Sequence, residues 1–175
     1  MGVREIGENC TVSRKCSIYS GRGITLGNNI RIDDFCLLVG NITVEDYVHI
    51  GAFCGLHASK DGHIVFRSFS GISSNVHIYA SSDRYDGEYM TARPGLTDDC
   101  IDDDCSEIVL GKYSQVGTGS VILPYGSLGE GAAVGAMSLV NRPLDPWNVY
   151  VGTPCKKIKS RSKNMLKTLH EKGLI

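Results

Sequence analysis

The chain has 175 residues, one domain's length, with a formal net charge of −1, 42% hydrophobic and only 7% aromatic residues. So balanced a charge gives no field that would draw nucleic acid or an anionic membrane surface. No run approaches the 18 apolar residues of a membrane-spanning helix, and the N-terminus carries no apolar signal segment, so the expectation is a soluble cytoplasmic protein.

The first element is a repeat of six. Frames open at Val12, Ile18, Ile24, Ile30, Cys36, Ile42, Val48 and Cys54, each with a partner two places on. The partners are poor at Arg14 and Ser20, then apolar at Leu26, Ile32, Leu38, Val44, Ile50 and Leu56. The first coil should therefore fray, and sound packing should begin near Ile24. A period of six is not helical; it fits a short strand, a corner and another short strand, stacked coil on coil as a parallel β-helix. Asn28, Asn29, Asp33, Asp34 and Asp46 fall at the corners, where their side chains can bond backbone groups. Seven cysteines is an odd count. Cys10, Cys16, Cys36 and Cys54 sit at or beside frame positions, as small apolar packing in a reducing compartment rather than a disulfide framework.

After Cys54 the register slips. The frame due at Lys60 opens at Ile64, followed by Ser70 and Val76, so four residues bulge between Ala58 and Gly62. The repeat then stops across 83–106, an excursion rich in Arg, Tyr and acid (Arg84, Tyr85, Glu88, Arg93). A structureless insertion of that length inside a compact domain points to function. Three frames complete one turn, so the corners after Leu56 and Ile78 stack one coil apart, about 4.8 Å. That count gathers His57, His63, Asp83 and Arg84 into one neighbourhood.

From Ile108 the repeat resumes at Ser114, Ser120, Gly126, Ala132 and Ser138, with Leu110, Val116, Ile122, Leu128, Val134 and Val140 as partners. An extended basic segment follows through Lys156 and Lys159. Met165, Leu166 and Leu169 then mark a short amphipathic helix that should cover the open end or flank of the prism. The division is 1–160 for the β-helix and 161–175 for the helical tail.

Three stretches, Gly117-Thr118-Gly119-Ser120-Val121-Ile122-Leu123-Pro124, Gly131-Ala132-Ala133-Val134-Gly135-Ala136 and Val151-Gly152-Thr153-Pro154, carry a resemblance to the hexapeptide-repeat acyltransferases, of the sugar O-acetyltransferase and xenobiotic acetyltransferase group. The resemblance implies a left-handed parallel β-helix, a homotrimer, acetyl-CoA in a groove between prisms, and a sugar or sugar-nucleotide acceptor in surface polysaccharide biosynthesis. It assigns Gly117, Ala136, Lys156 and Lys159 to the donor, and the excursion residues Arg84, Tyr85 and Glu88 to the acceptor. Where such members carry a general-base His at the start of the excursion, this chain has Asp83. Their Asn one coil below, near Gly51 to Cys54, has no counterpart here.

Acyl transfer from a thioester requires an acceptor freed of its proton. A carboxylate of ordinary pKa, about 3.9, is a poor base at neutral pH, whereas imidazole is well placed. Two arrangements meet the need: His57 acts as base with Asp83 orienting it or the substrate, or the acceptor is an amine that attacks as its free base. His49 and His77 follow frame openings and should face solvent, His63 reads as loop, and His170 as helix surface. Trp147 either seals the last coil or meets the adenine of the donor. Two other functions compete. One is a non-catalytic β-helix scaffold. The other is a γ-type carbonic anhydrase, whose zinc histidines find no His-x₄-His pair here.

Overall fold

The computed structural model describes residues 2–59, 61–91 and 94–175; Lys60 and Arg93 lie outside them. Among the described residues all strands but those of an antiparallel arm and an antiparallel tail strand fall into three parallel ladders, one for each face of a prism. The first face stacks Glu5–Ile6, Ile24–Leu26, Ile42–Val44, His63–Phe66 and Glu107–Leu110, then continues through Leu128 and Leu144 as single bridges. The second stacks Thr11–Val12, Arg31–Ile32, His49–Ile50, Gly71–Ile72, Gln115–Val116, Ala133–Val134 and Asn148–Gly152. The third stacks Ser17–Tyr19, Leu37–Gly40, Gly55–Ala58, His77–Tyr79, Val121–Ile122 and Leu139–Val140.

The repeat of six sets this register. Frame-opening residues and their partners point inward, so Leu38, Leu56, Ile78, Ile122 and Val140 form one fully buried column. Burial begins at Ile24, while Val12 and Ile18 in the first coil stay half-exposed. The corner acids behave as their chemistry dictates. Asp46 Oδ1 accepts from the backbone N–H of Asn28 at 2.7 Å, and Asn28 Oδ1 accepts from that of Glu8 at 2.9 Å.

Other corners are less expected. Tyr47, Phe69 and Tyr113 occupy successive levels of one vertex, and Trp147 the level beyond Gly131, with φ between 56° and 63°, a left-handed conformation usually left to Gly or Asn. Each such residue costs about 1–2 kcal/mol. Stacking from coil to coil offsets this, with ring centroids 4.7 Å (Tyr47–Phe69), 5.5 Å (Phe69–Tyr113) and 6.2 Å (Tyr113–Trp147) apart. Phe35 and Phe53 repeat the device at the next vertex, at 5.0 Å. Trp147 thus ends a ladder, its Nε1 donating to Glu130 Oε1 at 3.2 Å.

The tail departs from expectation. The strand Cys155–Ser160 turns back antiparallel on Asn148–Gly152, and the helix spans Asn164–Glu171 with no buried residue. What fastens the tail is Arg161, whose guanidinium donates to the carbonyl oxygens of Tyr113 at 2.8 Å and Gly131 at 3.0 Å. Met165, Leu166 and Leu169 are half-buried and the other helix residues exposed, so the helix presents one narrow apolar face to the rest of the chain.

Candidate functional site

The two interruptions of the repeat meet at the vertex between the third and first faces. Pairing of Leu56 with Ile78 places His57 level with Tyr79, one coil below it. Their rings stack at 4.6 Å with 4° between planes. Just beyond, Ser81–Asp83 pairs antiparallel with Asp103–Cys105, so the excursion leaves and rejoins the prism through a two-stranded arm. A cavity of about 280 Å³ opens between arm and prism. His57 and Asp83 both line it, with Ser59, Tyr79, Ser81 and Tyr85 around them. Ser59 and Ser81 share a hydroxyl hydrogen bond of 2.6 Å that ties the short bulge to the base of the arm.

His57 is half-buried. Burial first, and the neighbouring His77 second, hold its imidazole below the ordinary value of 6.5. Both causes disfavour the cation. The ring is therefore neutral at neutral pH, able to accept a proton.

Not every residue expected here arrives. Arg84 lines an adjoining cavity, shared with Asp83 and Tyr85 and walled by Leu123, Pro124, Tyr125 and Asn141. It is occupied with the excursion itself, donating to Asp86 and, at 2.8 Å, to Asp102. Glu88 is exposed and lines neither cavity, though its backbone N–H donates to Asp86 Oδ1 at 3.1 Å. His63 is neither loop nor neighbour of His57. It opens a strand of the first face and hydrogen-bonds Thr43 at 3.0 Å and Glu107 at 3.1 Å. The bulge closes before it, which turns its side chain onto that face. His49 is exposed on the second face, 2.8 Å from Asp33, and His170 is exposed on the helix. His77, expected to face solvent, is only partly exposed and has a buried Nδ1. Among the described residues no three His, Cys, Asp or Glu side chains converge as a metal site.

The residues expected at the donor follow the vertex between the second and third faces. A Cβ on Gly117 would stand 2.5 Å from the backbone nitrogen of Ala136, so coil stacking alone requires glycine there. Ala136 is exposed one coil on. Lys156 pairs with Val151, whose side chain in turn stacks on Gly135; Lys159 pairs with Val149. Both lysines are exposed. Sequence reasoning missed Ser59, Tyr79 and Ser81, although the pairing of Leu56 with Ile78 already implied that Tyr79 covers His57.

No family model matches the chain. Over 169 residues it is 38% identical to the dTDP-4-amino-4,6-dideoxy-D-glucose acyltransferase of Escherichia coli, an alignment spanning 95% of this chain and 86% of that one. A solved structure of AntD, an N-acyltransferase from Bacillus cereus, in complex with dTDP and 3-hydroxybutyryl-CoA superimposes with a TM-score of 0.92 at 38% identity, covering 97% of this chain and 89% of that one. An AntD variant in complex with dTDP-4-amino-4,6-dideoxyglucose and coenzyme A also gives 0.92 at 38% identity, covering 97% and 90%.

Proposed function

The chain belongs to the hexapeptide-repeat β-helix acyltransferases, and on that footing we propose that it transfers the acyl group of an acyl-CoA to the amine of a dTDP-4-amino-4,6-dideoxyhexose. The observation that carries this reading is the cavity uniting His57 and Asp83 at the root of the excursion, in a chain so similar to an aminosugar acyltransferase. The amine attacks the thioester carbonyl carbon, the C–S bond breaks and coenzyme A leaves as thiolate. The nitrogen sheds one proton. Neutral His57 receives it, while the Asp83 carboxylate orients the N–H groups of the acceptor. An amine attacks as its free base, which relieves Asp83 of the role a hydroxyl acceptor would impose on a histidine at that place.

The donor residues Gly117, Ala136 and Lys156 run along one vertex and the acceptor cavity lies at another. We therefore take the working form to be a homotrimer, in which the donor edge of one copy faces the excursion of the next. Lys156 and Lys159 meet the donor phosphates as point charges. The reaction belongs to cytoplasmic synthesis of a surface polysaccharide precursor.

The test is coenzyme A release with acetyl-CoA and longer acyl-CoAs, against dTDP-4-amino-4,6-dideoxyglucose and its 4-hydroxy counterpart. Turnover should require the amine. Equal rates with the hydroxyl sugar would overturn the amine assignment, and no release with any pair would leave a scaffold. Light scattering should give three times the chain mass of 18.9 kDa.

A further inference from the structure

The balanced total charge conceals a segregation along the chain. Residues 148–175 hold six lysines and Arg161 against the single acid Glu171, a sum of +6. The rest of the chain carries 11 basic and 18 acidic residues, a sum of −7. In that larger part cations meet carboxylates: Lys15 lies 2.8 Å from Asp34, Arg31 2.7 Å from Asp33 and Arg67 2.7 Å from Glu45. Among the described residues none of the seven tail cations forms an ion pair. Arg161 donates to backbone carbonyls, and Lys163 Nζ lies 4.8 Å over the Trp147 ring.

A second observation concerns what stands among these charges. Cys155–Ser160 is the last strand of its sheet, paired on one side only. Its pairing slips: Tyr150 is level with Lys157 and Val149 with Lys159, so Ile158 is the extra residue of a bulge. The Ile158 side chain is 56% exposed between two lysines. Val151, level with Lys156, and Leu174 beyond the helix are exposed as well. Lysines alone would guard an open edge against pairing with another strand; aliphatic side chains among them would not. In the helix Met165, Leu166 and Leu169 are half-buried, which leaves Lys167 on the exposed side.

We propose that this basic tail docks the protein on an anionic lipid bilayer, its lysines at the headgroups and Ile158, Val151 and Leu174 in the interface. An anionic leaflet attracts cations within about a Debye length of its surface. Exposed aliphatic side chains gain by leaving water at the acyl boundary. The acidic remainder of the chain is repelled from the same surface, so the tail side faces the leaflet. Nucleic acid matches the charge but binds through phosphate contacts and aromatic stacking, which give Ile158 no partner. The proposed donor contacts take only Lys156 and Lys159, and the docking does not rest on acyl transfer.

Co-sedimentation of the full chain with phosphatidylcholine vesicles, with and without phosphatidylglycerol, tests this. The protein should pellet with the phosphatidylglycerol vesicles, stay in solution with phosphatidylcholine alone, and be released by added salt. Lys157→Glu, Lys163→Glu, Lys167→Glu and Lys172→Glu combined should weaken partitioning by at least about tenfold. Circular dichroism and coenzyme A release should stay at wild-type levels in that variant. Ile158→Ser should weaken partitioning while leaving its salt dependence unchanged. No pelleting with anionic vesicles, or pelleting unaltered by the charge reversal or by Ile158→Ser, would overturn the proposal. So would tighter binding to a mixed-sequence RNA oligomer than to the vesicles at equal salt. Vesicle binding without turnover of any acceptor would sustain the docking and remove only the enzymatic reading.

Discussion

Replacing Ile78 by Ala asks how far the stacked column holds the site. Ile78 is fully buried between Leu56 below and Ile122 above, and its chain neighbours are His77 and Tyr79. Three carbons are lost, and at about 0.8 kcal/mol per buried methylene the transfer contribution is about 2.4 kcal/mol. Because coil spacing is fixed by backbone hydrogen bonds, Leu56 and Ile122 cannot close the space. A residual cavity of about 80 Å³ at about 24 cal/mol per Å³ adds about 1.9 kcal/mol. The expected total is about 4 kcal/mol, in the upper half of the range for such truncations. The matched control is Ile18→Ala in the half-exposed first coil, where about 1 kcal/mol should be lost. Urea unfolding at fixed protein concentration measures both. With a slope of about 2 kcal/mol per molar, the midpoint should fall by about 2 M for Ile78→Ala and about 0.5 M for Ile18→Ala. Equal shifts, or a cost below about 1.5 kcal/mol at Ile78, would refute the rigid column.

Substituting His57 by Gln should lower kcat/KM by about 10²-fold or more with the circular dichroism spectrum unchanged; a change within threefold would remove His57 from the reaction. Lys156→Ala combined with Lys159→Ala should raise KM for acyl-CoA while leaving KM for the sugar nucleotide in place, as steady-state kinetics will read. Gly117→Ala should cost about 1–3 kcal/mol in thermal or urea unfolding whether or not coenzyme A is present, because its Cβ meets backbone rather than ligand. The pH dependence of stability carries the mark of His57. Its pKa is depressed on folding, so the unfolded chain takes up the proton first as pH falls. The stability it confers is complete above about 6.5 and declines as pH drops from there through the folded value. Urea midpoints between pH 7.5 and 5 should show this slope, reduced in His57→Gln.

Most of the prism was legible because a six-residue period assigns each side chain a direction. Counting frames from Cys54 to Val76 sufficed to lay His57 against the start of the excursion, and the pairing of Leu56 with Ile78 has that register. What escaped depends on neighbours 18 or so residues away. Tyr47, Phe69 and Tyr113 in left-handed corners look like turn violations until stacked on one another. Gly117 reads as clearance for a ligand, yet the backbone of Ala136 alone requires it. His63 reads as loop because it precedes the frame opening at Ile64, yet the strand opens on the histidine itself. The tail helix has the expected periodicity, with Met165, Leu166 and Leu169 half-buried and the other helix residues exposed.

The two departures from the repeat leave Ile42, Ile64 and Ile108 level with one another on the first face. Extra chain is thus absorbed at a single edge without disturbing any rung above or below it. Such an edge lets the excursion lengthen, shorten or change composition while the vertex proposed for the donor stays as it is. A common thioester chemistry can in this way be redirected among acceptors by rewriting one hairpin-rooted excursion, with no redesign of the barrel-like stack that carries it.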